Sequence, residues 1–323
     1  MALPHTVSAI SDPATVQALP ANAHPTCPVC GSDDTAQGFE ARDPHYGNPG
    51  EWAERECRQC RSLFLDPVPA PEQIAGFYPE EEYYAYRPAA QKSKLSLALR
   101  RLVGFETGTR EPAFDRPGRV LDFGCGAGDF LADLHARGWE CHGVELNPGA
   151  IGAARERGLD VRSAIDGPDG FEDDTFDYVR ANHSLEHVVD PRHVLEQMYR
   201  VLKPGGTLFI GVPTRDGLPA KVFGRYWWYL GAPVHPVTFS TQGLVSLLRS
   251  IGFLPERVGT NSDYGSVAGS LQIYLNRHSS RRSTEGLIFR FKPAVLVGHW
   301  TARLLDPLGL GDKLEVVARK PEA

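Results

Sequence analysis

A doubly wound α/β fold with a mostly parallel sheet, preceded by a small cysteine-bearing module, is what the sequence predicts. Three observations predict it. From residue 118 onward, short apolar runs alternate with amphipathic stretches, and strands separated by helical segments build parallel sheets with helices on both faces. The first apolar run, Val120-Leu121-Asp122-Phe123, opens directly into Gly124-Cys125-Gly126-Ala127-Gly128. Ahead of this region stand two Cys-x-x-Cys pairs, Cys27/Cys30 and Cys57/Cys60.

Each element has a local reason. Residues 1–26 carry scattered Pro, Ala and Ser with no basic start and no long apolar run, and read as a disordered leader. Residues 27–66 hold both cysteine pairs. A proline-rich joint, Asp66-Pro67-Val68-Pro69-Ala70-Pro71, leads into a helical linker or lid over 67–116. Its apolar positions fall at helical spacing (Ile74, Phe77, Tyr78, then Leu95, Leu97, Leu99, Leu102). Tyr83, Tyr84 and Tyr86 in that linker suit a cover over a cleft.

The α/β domain follows over 117–323. Phe130 to Arg137 reads as a helix closed by Gly138, and Cys141 to Leu146 as the second strand. Asn147 caps the next helix, with Pro148 at its first position and Gly158 beyond its end. Phe176 to Asn182 is a strand. Asp190 caps a helix with Pro191 just inside it, expected to stop at Lys203 because Pro204 disfavours helical geometry before it. Gly205-Gly206 then turns the chain into a buried strand over Thr207–Val212. A helix near 241–250, a strand near 253–258 and a last strand at Leu314–Ala318 complete the pattern. Residues 259–312 follow no clear period and read as an insertion.

The chain has 323 residues, room for about two domains. Lys and Arg number 34 against 40 Asp and Glu, a net charge of −6. Proteins that grip phosphate backbones show a basic excess, so the balance favours a small-molecule acceptor and disfavours nucleic acid. No run reaches about 18 apolar residues, so no membrane span is expected, and a cytoplasmic location is. In that compartment close cysteine pairs point to metal rather than disulfides. Four thiolates from Cys27, Cys30, Cys57 and Cys60 satisfy a tetrahedral zinc ion and leave no open position, which makes the metal structural. Arg55, Arg58 and Arg61 around the pairs are outnumbered by Asp33, Asp34, Glu40, Glu51, Glu54 and Glu56.

The glycine-rich turn lets a ligand lie close to the backbone and the following helix N-terminus. The dinucleotide fingerprint wants Gly or Ala at its sixth position, where this chain has Asp129. Asp122, just before the turn, suits a cationic ligand better than a pyrophosphate. Glu145, at the end of the second strand, is placed to accept both hydroxyls of a ribose. These residues favour a nucleoside carrying a positive charge, and S-adenosylmethionine is such a molecule.

Together with Asn182-His183-Ser184-Leu185-Glu186-His187-Val188-Val189-Asp190-Pro191 and Leu202-Lys203-Pro204-Gly205-Gly206-Thr207-Leu208, the turn and Glu145 resemble class I S-adenosylmethionine-dependent methyltransferases. The likeness is to the bacterial branch related to ubiquinone-pathway and sugar methyltransferases. It covers about 115–258, and Gly311–Lys320 resembles the family's final strand. The resemblance implies a Rossmann-like seven-stranded sheet with its last strand antiparallel. It also implies that Asp122, Phe123, Gly124, Cys125 and Gly126 line the methionine and ribose end. By the same likeness Glu145 binds the ribose with Leu146 against the adenine, Ala164 and Ile165 flank the adenine, and Asn182 and His183 approach the transferred methyl. Asp166 falls slightly late for the acid that often bonds the adenine amine.

Methyl transfer to oxygen or carbon needs a proton acceptor, and histidine titrates near neutrality. His183 is the first candidate, followed by His187 and His235. His235 lies in Trp227–Pro236, a stretch resembling the family's substrate-facing loop, where Tyr226, Trp227, Trp228 and Tyr229 either stack on a ring or pack. Glu186 and His187 have a buttressing reading beside the catalytic one. Absence of an Asn/Asp-Pro-Pro-aromatic motif and of a Pro-Cys pair after the fourth strand disfavours base amines and cytosine carbon as acceptors. The expected acceptors are therefore a sugar, a glycolipid precursor or a natural product. A ribosomal or transfer RNA methyltransferase using the cysteine module as a clamp is the rival, and a non-catalytic nucleoside-binding protein the third reading. The apolar, basic segment 287–300 is compatible with peripheral membrane contact, with packing on the sheet or with a homodimer contact.

Overall fold

The computed structural model describes residues 25–78, 109–163, 168 and 170–322. Most of the leader lies outside these residues. So do Tyr83, Tyr84, Tyr86, the leucines of the linker, Ala164, Ile165 and Asp166. Of the linker, the described residues contain one short helix, α1 (Pro71–Gly76).

Seven strands form the central sheet: β4 (Arg119–Phe123), β5 (Glu140–Glu145), β6 (Asp160–Ser163), β7 (Phe176–Asn182), β8 (Leu202–Pro213), β10 (Leu254–Thr260) and β11 (Lys313–Arg319). Their order is β10-β11-β8-β7-β4-β5-β6. β4 pairs in parallel with both β5 and β7, and β11 runs antiparallel to its neighbours β8 and β10. This is the doubly wound, seven-stranded arrangement that the resemblance implied.

Alternation along the strands separates two apolar layers, because successive strand side chains point to opposite faces. Val120, Tyr178 and Phe209 join one cluster with Leu131 and Leu134 of α2 (Asp129–His135) and Ile151 and Ala154 of α3 (Pro148–Glu156). Leu121, Val179, Leu208 and Ile210 join the other, with Val194, Leu195 and Met198 of α4 (Pro191–Val201) and Leu244, Leu247 and Leu248 of α6 (Thr241–Ile251).

Helix starts follow the expected chemistry. The Asn147 side chain accepts from Ala150 N at 2.9 Å and the Asp190 side chain from His193 N at 3.0 Å. One boundary differs from expectation. α4 ends at Val201 rather than Lys203, and β8 begins at once with Leu202 paired to Phe176. Burying Leu202 in the sheet outweighs one more helical turn that Pro204 would forbid in any case. Gly205, at φ 74°, takes up the register shift between Phe176 and Tyr178, and the strand continues through it.

Residues 259–312 are built of short pieces: a π-helical turn at Gly265–Gly269, α7 (Ser270–Asn276), α8 (Leu287–Arg290) and α9 (Lys292–Leu305). α5 (Leu218–Phe223) precedes them after β8. Leu287 of α8, Phe291 between the two helices, and Val297, Trp300 and Leu304 of α9 are exposed. Among the described residues no helix is long and apolar enough to cross a membrane.

The cysteine module is a four-stranded sheet, β1 (Thr35–Ala41), β2 (Trp52–Cys57), β3 (Leu63–Leu65) and β9 (Val237–Thr238), in that order. Its fourth strand comes from the α/β region, just before α6. Phe64, Cys57 and Cys60 share one buried cluster with Phe239, Leu244 and Leu247. Ser240 ties the junction. Its backbone N donates to Ser62 Oγ at 3.1 Å, and its hydroxyl accepts from Gly243 N at 2.8 Å while donating to the Cys60 carbonyl.

Glu54 on β2 is 1% exposed, and its Oε1 has no hydrogen-bond partner. Burial pushes its pKa up to about 8, against a smaller lowering by Arg215. In the unfolded chain the value is about 4.3. The folded state therefore holds this proton more tightly, and the stability so gained is lost as pH rises from about 4.3 through 8. Thermal melts of wild type and Glu54→Gln should coincide near pH 4 and separate by several degrees at pH 8.5, the variant being the more stable. A constant gap at all pH values would show Glu54 to be ionised throughout. Ser240→Ala strands the buried Gly243 N–H and Cys60 carbonyl together, and should cost about 2–3 kcal/mol in a denaturant titration. A loss under 0.5 kcal/mol would show that the junction does not rest on that hydroxyl.

Candidate active site and cysteine cluster

The carboxyl ends of β4, β5, β7 and β8 lie along one edge, and the strand order reverses beside β4. Open α/β sheets bind ligands at such a switch point. Gly124 and Cys125 donate their backbone N–H groups to the Val144 carbonyl at 2.8 and 3.2 Å, folding the turn across the end of β5. Gly124 has φ 72°, and a Cβ there would come within 2.5 Å of the Ser184 side chain. Gly128, at φ 78°, starts α2, and a Cβ there would strike Leu159. The turn is thus both left-handed and closely overlaid, two conditions only glycine meets.

Glu145 closes this cradle. Its Oε2 accepts from Gly126 N at 2.9 Å, and its Oε1 accepts from Leu146 N at 2.7 Å and Asn147 N at 3.0 Å. Its carboxylate is therefore fixed across the mouth of the turn. Leu146 beside it is exposed, an apolar side chain with a free face. Phe123 and Cys125 turn inward instead: both are buried, and burial raises the Cys125 thiol pKa. Only their backbone is available to a ligand.

Asp122 is placed differently from the sequence expectation of a carboxylate facing a cation. It is 1% exposed, and Arg180 Nη1 donates to its Oδ1 at 2.9 Å. Arg180 also donates through Nε to Glu111 Oε1 at 2.9 Å and lies 4.0 Å over the Phe130 ring. Tyr178 donates to the other Glu111 oxygen. Burial raises the Asp122 pKa while Arg180 opposes it. The charge before the glycine turn is met inside the protein by Arg180, a residue the sequence reading did not single out. An arginine within the apolar strand Phe176–Asn182 was the signal.

His183 follows β7 at φ 55°, its backbone N donating to the Gly211 carbonyl at 2.7 Å. The half-buried ring faces Tyr229, nearly parallel, at 6.3 Å between centroids. Its Nδ1 lies 3.3 Å from Glu186 Oε1. Burial pushes the Glu186 carboxyl up, but the His183 hydrogen bond and the neighbouring imidazoles outweigh it and hold the pKa at about 2. Asn182 sits against β8, where a Cβ at Gly211 would meet its Oδ1.

His187 and His235 touch edge to face, 4.6 Å between centroids. Each gives its Nδ1 to a backbone carbonyl, His187 to Val234 at 2.8 Å and His235 to Tyr229 at 3.0 Å. The Tyr78 hydroxyl also lies 2.5 Å from His187 Nδ1. Burial and the neighbouring His187 hold the His235 pKa down to about 3, so that ring is neutral at neutral pH. Of the aromatic run, Trp227 is buried with Nε1 donating to Asp312 at 2.7 Å, and the Tyr229 hydroxyl donates to Asp263. Packing and internal hydrogen bonds occupy both.

The cysteine cluster brings four sulfurs together, all within 4.8 Å of one another. Cys27 and Cys60 are 3.6 Å apart, and Cys30 and Cys57 3.5 Å. A disulfide needs about 2.05 Å, whereas four thiolates at 2.3 Å from a tetrahedral zinc stand roughly 3.8 Å apart. The residues fit the ion. Each pair closes on itself, Gly31 N bonding the Cys27 carbonyl and Arg61 N the Cys57 carbonyl. The second turn places Arg61, rather than a glycine, in the left-handed region at φ 67°.

Residues 81–257 match the family profile described as a methyltransferase domain. The chain is 35% identical over 105 residues to the ubiquinone biosynthesis O-methyltransferase of Hahella chejuensis, covering 30% of this chain and 44% of that protein. It is 32% identical over 104 residues to the norajmaline N-methyltransferase of Rauvolfia serpentina, covering 29% and 36%. The chain thus spans less than half the length of these relatives. A solved geranyl diphosphate C-methyltransferase from Streptomyces coelicolor aligns with a TM-score of 0.49 at 15% identity, over 77% of this chain and 97% of that one. The family profile takes in more than half of the sequence, and the chain belongs to the methyltransferase domain family.

Proposed function

We propose that this protein transfers a methyl group from S-adenosylmethionine to an oxygen or carbon atom of a small molecule, such as a sugar, a glycolipid precursor or a natural product. The observation that carries the reading is the convergence of the Gly124–Gly128 turn, the fixed carboxylate of Glu145 and the His183–Glu186 pair at one edge of the sheet. When bound, S-adenosylmethionine supplies an electrophilic methyl on a sulfonium. The chain's own work is to hold it, orient the acceptor and take up a proton.

Glu145 binds the ribose hydroxyls, with Leu146 against the adenine and the backbone of Gly124 and Gly126 beside the methionine end. Ala164 and Ile165, by the resemblance, flank the adenine. Asp122 acts from behind the turn, paired with Arg180. His183 receives the acceptor's proton, and Glu186 beneath it orients the ring and stabilises its charged form. The four cysteines hold a structural zinc.

Charge pairing disfavours the RNA reading. Arg58 and Arg61 of the cysteine module lie 3.5 and 2.7 Å from Asp34 and Glu56, and Arg55 lies 3.6 Å from Asp66. A phosphate clamp needs cations that are not already answered by acids.

Calorimetric titration with S-adenosylmethionine and S-adenosylhomocysteine tests the cofactor. Glu145→Gln keeps the side-chain shape but removes the charge, and should weaken both ligands by about 10- to 100-fold. Equal affinity would remove Glu145 from the ribose, and no binding by folded wild type would overturn the reading. His183→Asn should lower kcat by about 10²- to 10⁴-fold toward a hydroxyl or carbon acceptor, with S-adenosylmethionine affinity within a few-fold of wild type. Undiminished turnover would place the base elsewhere.

A further inference from the structure

A second donor cluster lies beside the proposed base. Glu186 and His187 sit on the short 3-10 turn Leu185–His187, and His235 comes from the loop before β9. Each offers one donor atom, and these atoms all lie within 4.8 Å of one another. We propose that Glu186, His187 and His235 bind a divalent transition-metal ion, distinct from the ion of the four cysteines.

Three observations carry the assignment. The first concerns the histidine tautomers. A carbonyl oxygen can only accept, so His235 donates Nδ1–H to Tyr229, and His187 donates Nδ1–H to Val234 with the Tyr78 hydroxyl oxygen, 2.5 Å away, as its second acceptor. Each ring therefore keeps the Nε2 lone pair. A ring nitrogen donating to a backbone carbonyl while the other faces a metal is the usual orientation of a ligating histidine.

Glu186 supplies the second. It is 1% exposed, and its Oε2 has no hydrogen-bond partner, while Oε1 faces His183. Its ion-pair partner among the described residues is that imidazole, with no lysine or arginine beside it. A buried carboxylate oxygen left without a partner costs free energy that a cation would recover.

Preorganisation is the third. Gly231, at φ 63°, lets His235 fold back over it, and a Cβ there would stand 2.2 Å from Nδ1. The His235 N–H bonds the Gly231 carbonyl at 3.1 Å. The ring is thus held by backbone on two sides. An ion about 2.1 Å from each donor would draw the three atoms inward by roughly an ångström. Two imidazoles and one carboxylate leave coordination positions open, the donor set of three-ligand zinc and non-haem iron(II) sites. This proposal does not rest on the methyl-transfer reading, because metal content reports it without turnover.

The test uses the full chain, stripped with a chelator and reloaded first with zinc and then with cobalt(II). Wild type should hold two equivalents per chain after gel filtration. His235→Gln and Glu186→Gln should each hold one. In cobalt-loaded protein the first equivalent should show sulfur-to-metal charge-transfer absorption from the cysteines. The second should add weak visible bands without more of that absorption. Retained thiolate absorption in both variants shows that the fold and the cysteine site survive, so a missing second equivalent then reports the donor cluster alone. Zinc affinity of the second site should fall by more than about 100-fold in either variant, beyond the 10- to 100-fold typical of losing an outer partner. One equivalent in wild type, or a second equivalent that both variants keep, would overturn the proposal.

Discussion

Parallel pairing of β4 between β5 and β7 is the constraint on which the rest of the molecule depends. In a parallel sheet every strand ends on the same edge, so whatever follows each strand is delivered to one place. The glycine turn, Glu145 and Asn182-His183 are far apart in sequence and come to one edge of the sheet for that reason alone. The turn can then cross the end of β5, where the Val144 carbonyl holds it. The cost of the arrangement is a buried acid, Asp122, in the middle strand. Arg180 on the adjacent strand answers it at 2.9 Å, and Glu111 and Phe130 hold the guanidinium in turn.

The cysteine module is joined to that architecture through the segment between β8 and α6. β9 completes the module's sheet, and Ser240 links the second cysteine turn to the start of α6. His235 lies a few residues upstream in the same loop. A closed four-thiolate site, as proposed for these cysteines, has no position for substrate, so its part in the proposed site is mechanical: it fixes one end of the loop that carries His235. Gly231 and the Tyr229 carbonyl fix the other end.

Legibility in the sequence followed the range of each interaction. The strand–helix alternation, the caps at Asn147 and Asp190, the glycine turn and the two cysteine pairs are all written within a few residues, and the structure has them. Glu145 was readable because the turn and the next strand end stand at a fixed remove. What escaped was long-range or lacked a period. Arg180 looks like an ordinary polar interruption until β7 is laid beside β4. Nothing local says that Val237–Thr238 will pair with β3, or that His187 will meet His235. Residues 259–312 gave no pattern because polar bonds hold them as much as apolar stripes do. Asp312 accepts from Trp227 and Ser266, and Asp306 accepts from Ser262 N.

The link between Ser240 and the second cysteine turn also orders events during synthesis. Ser62 and Ser240 are 178 residues apart, and Cys60 and Ser240 are 180 apart. The four sulfurs can gather once residue 60 has been made, but β3 keeps a bare edge until β9 is made. Contacts of such long sequence separation form late, and an unpaired strand edge is a template for wrong pairing in the meantime. The two cysteine turns can therefore close before their sheet is finished. The interval before residue 240 is made is when this chain is most exposed to misassembly.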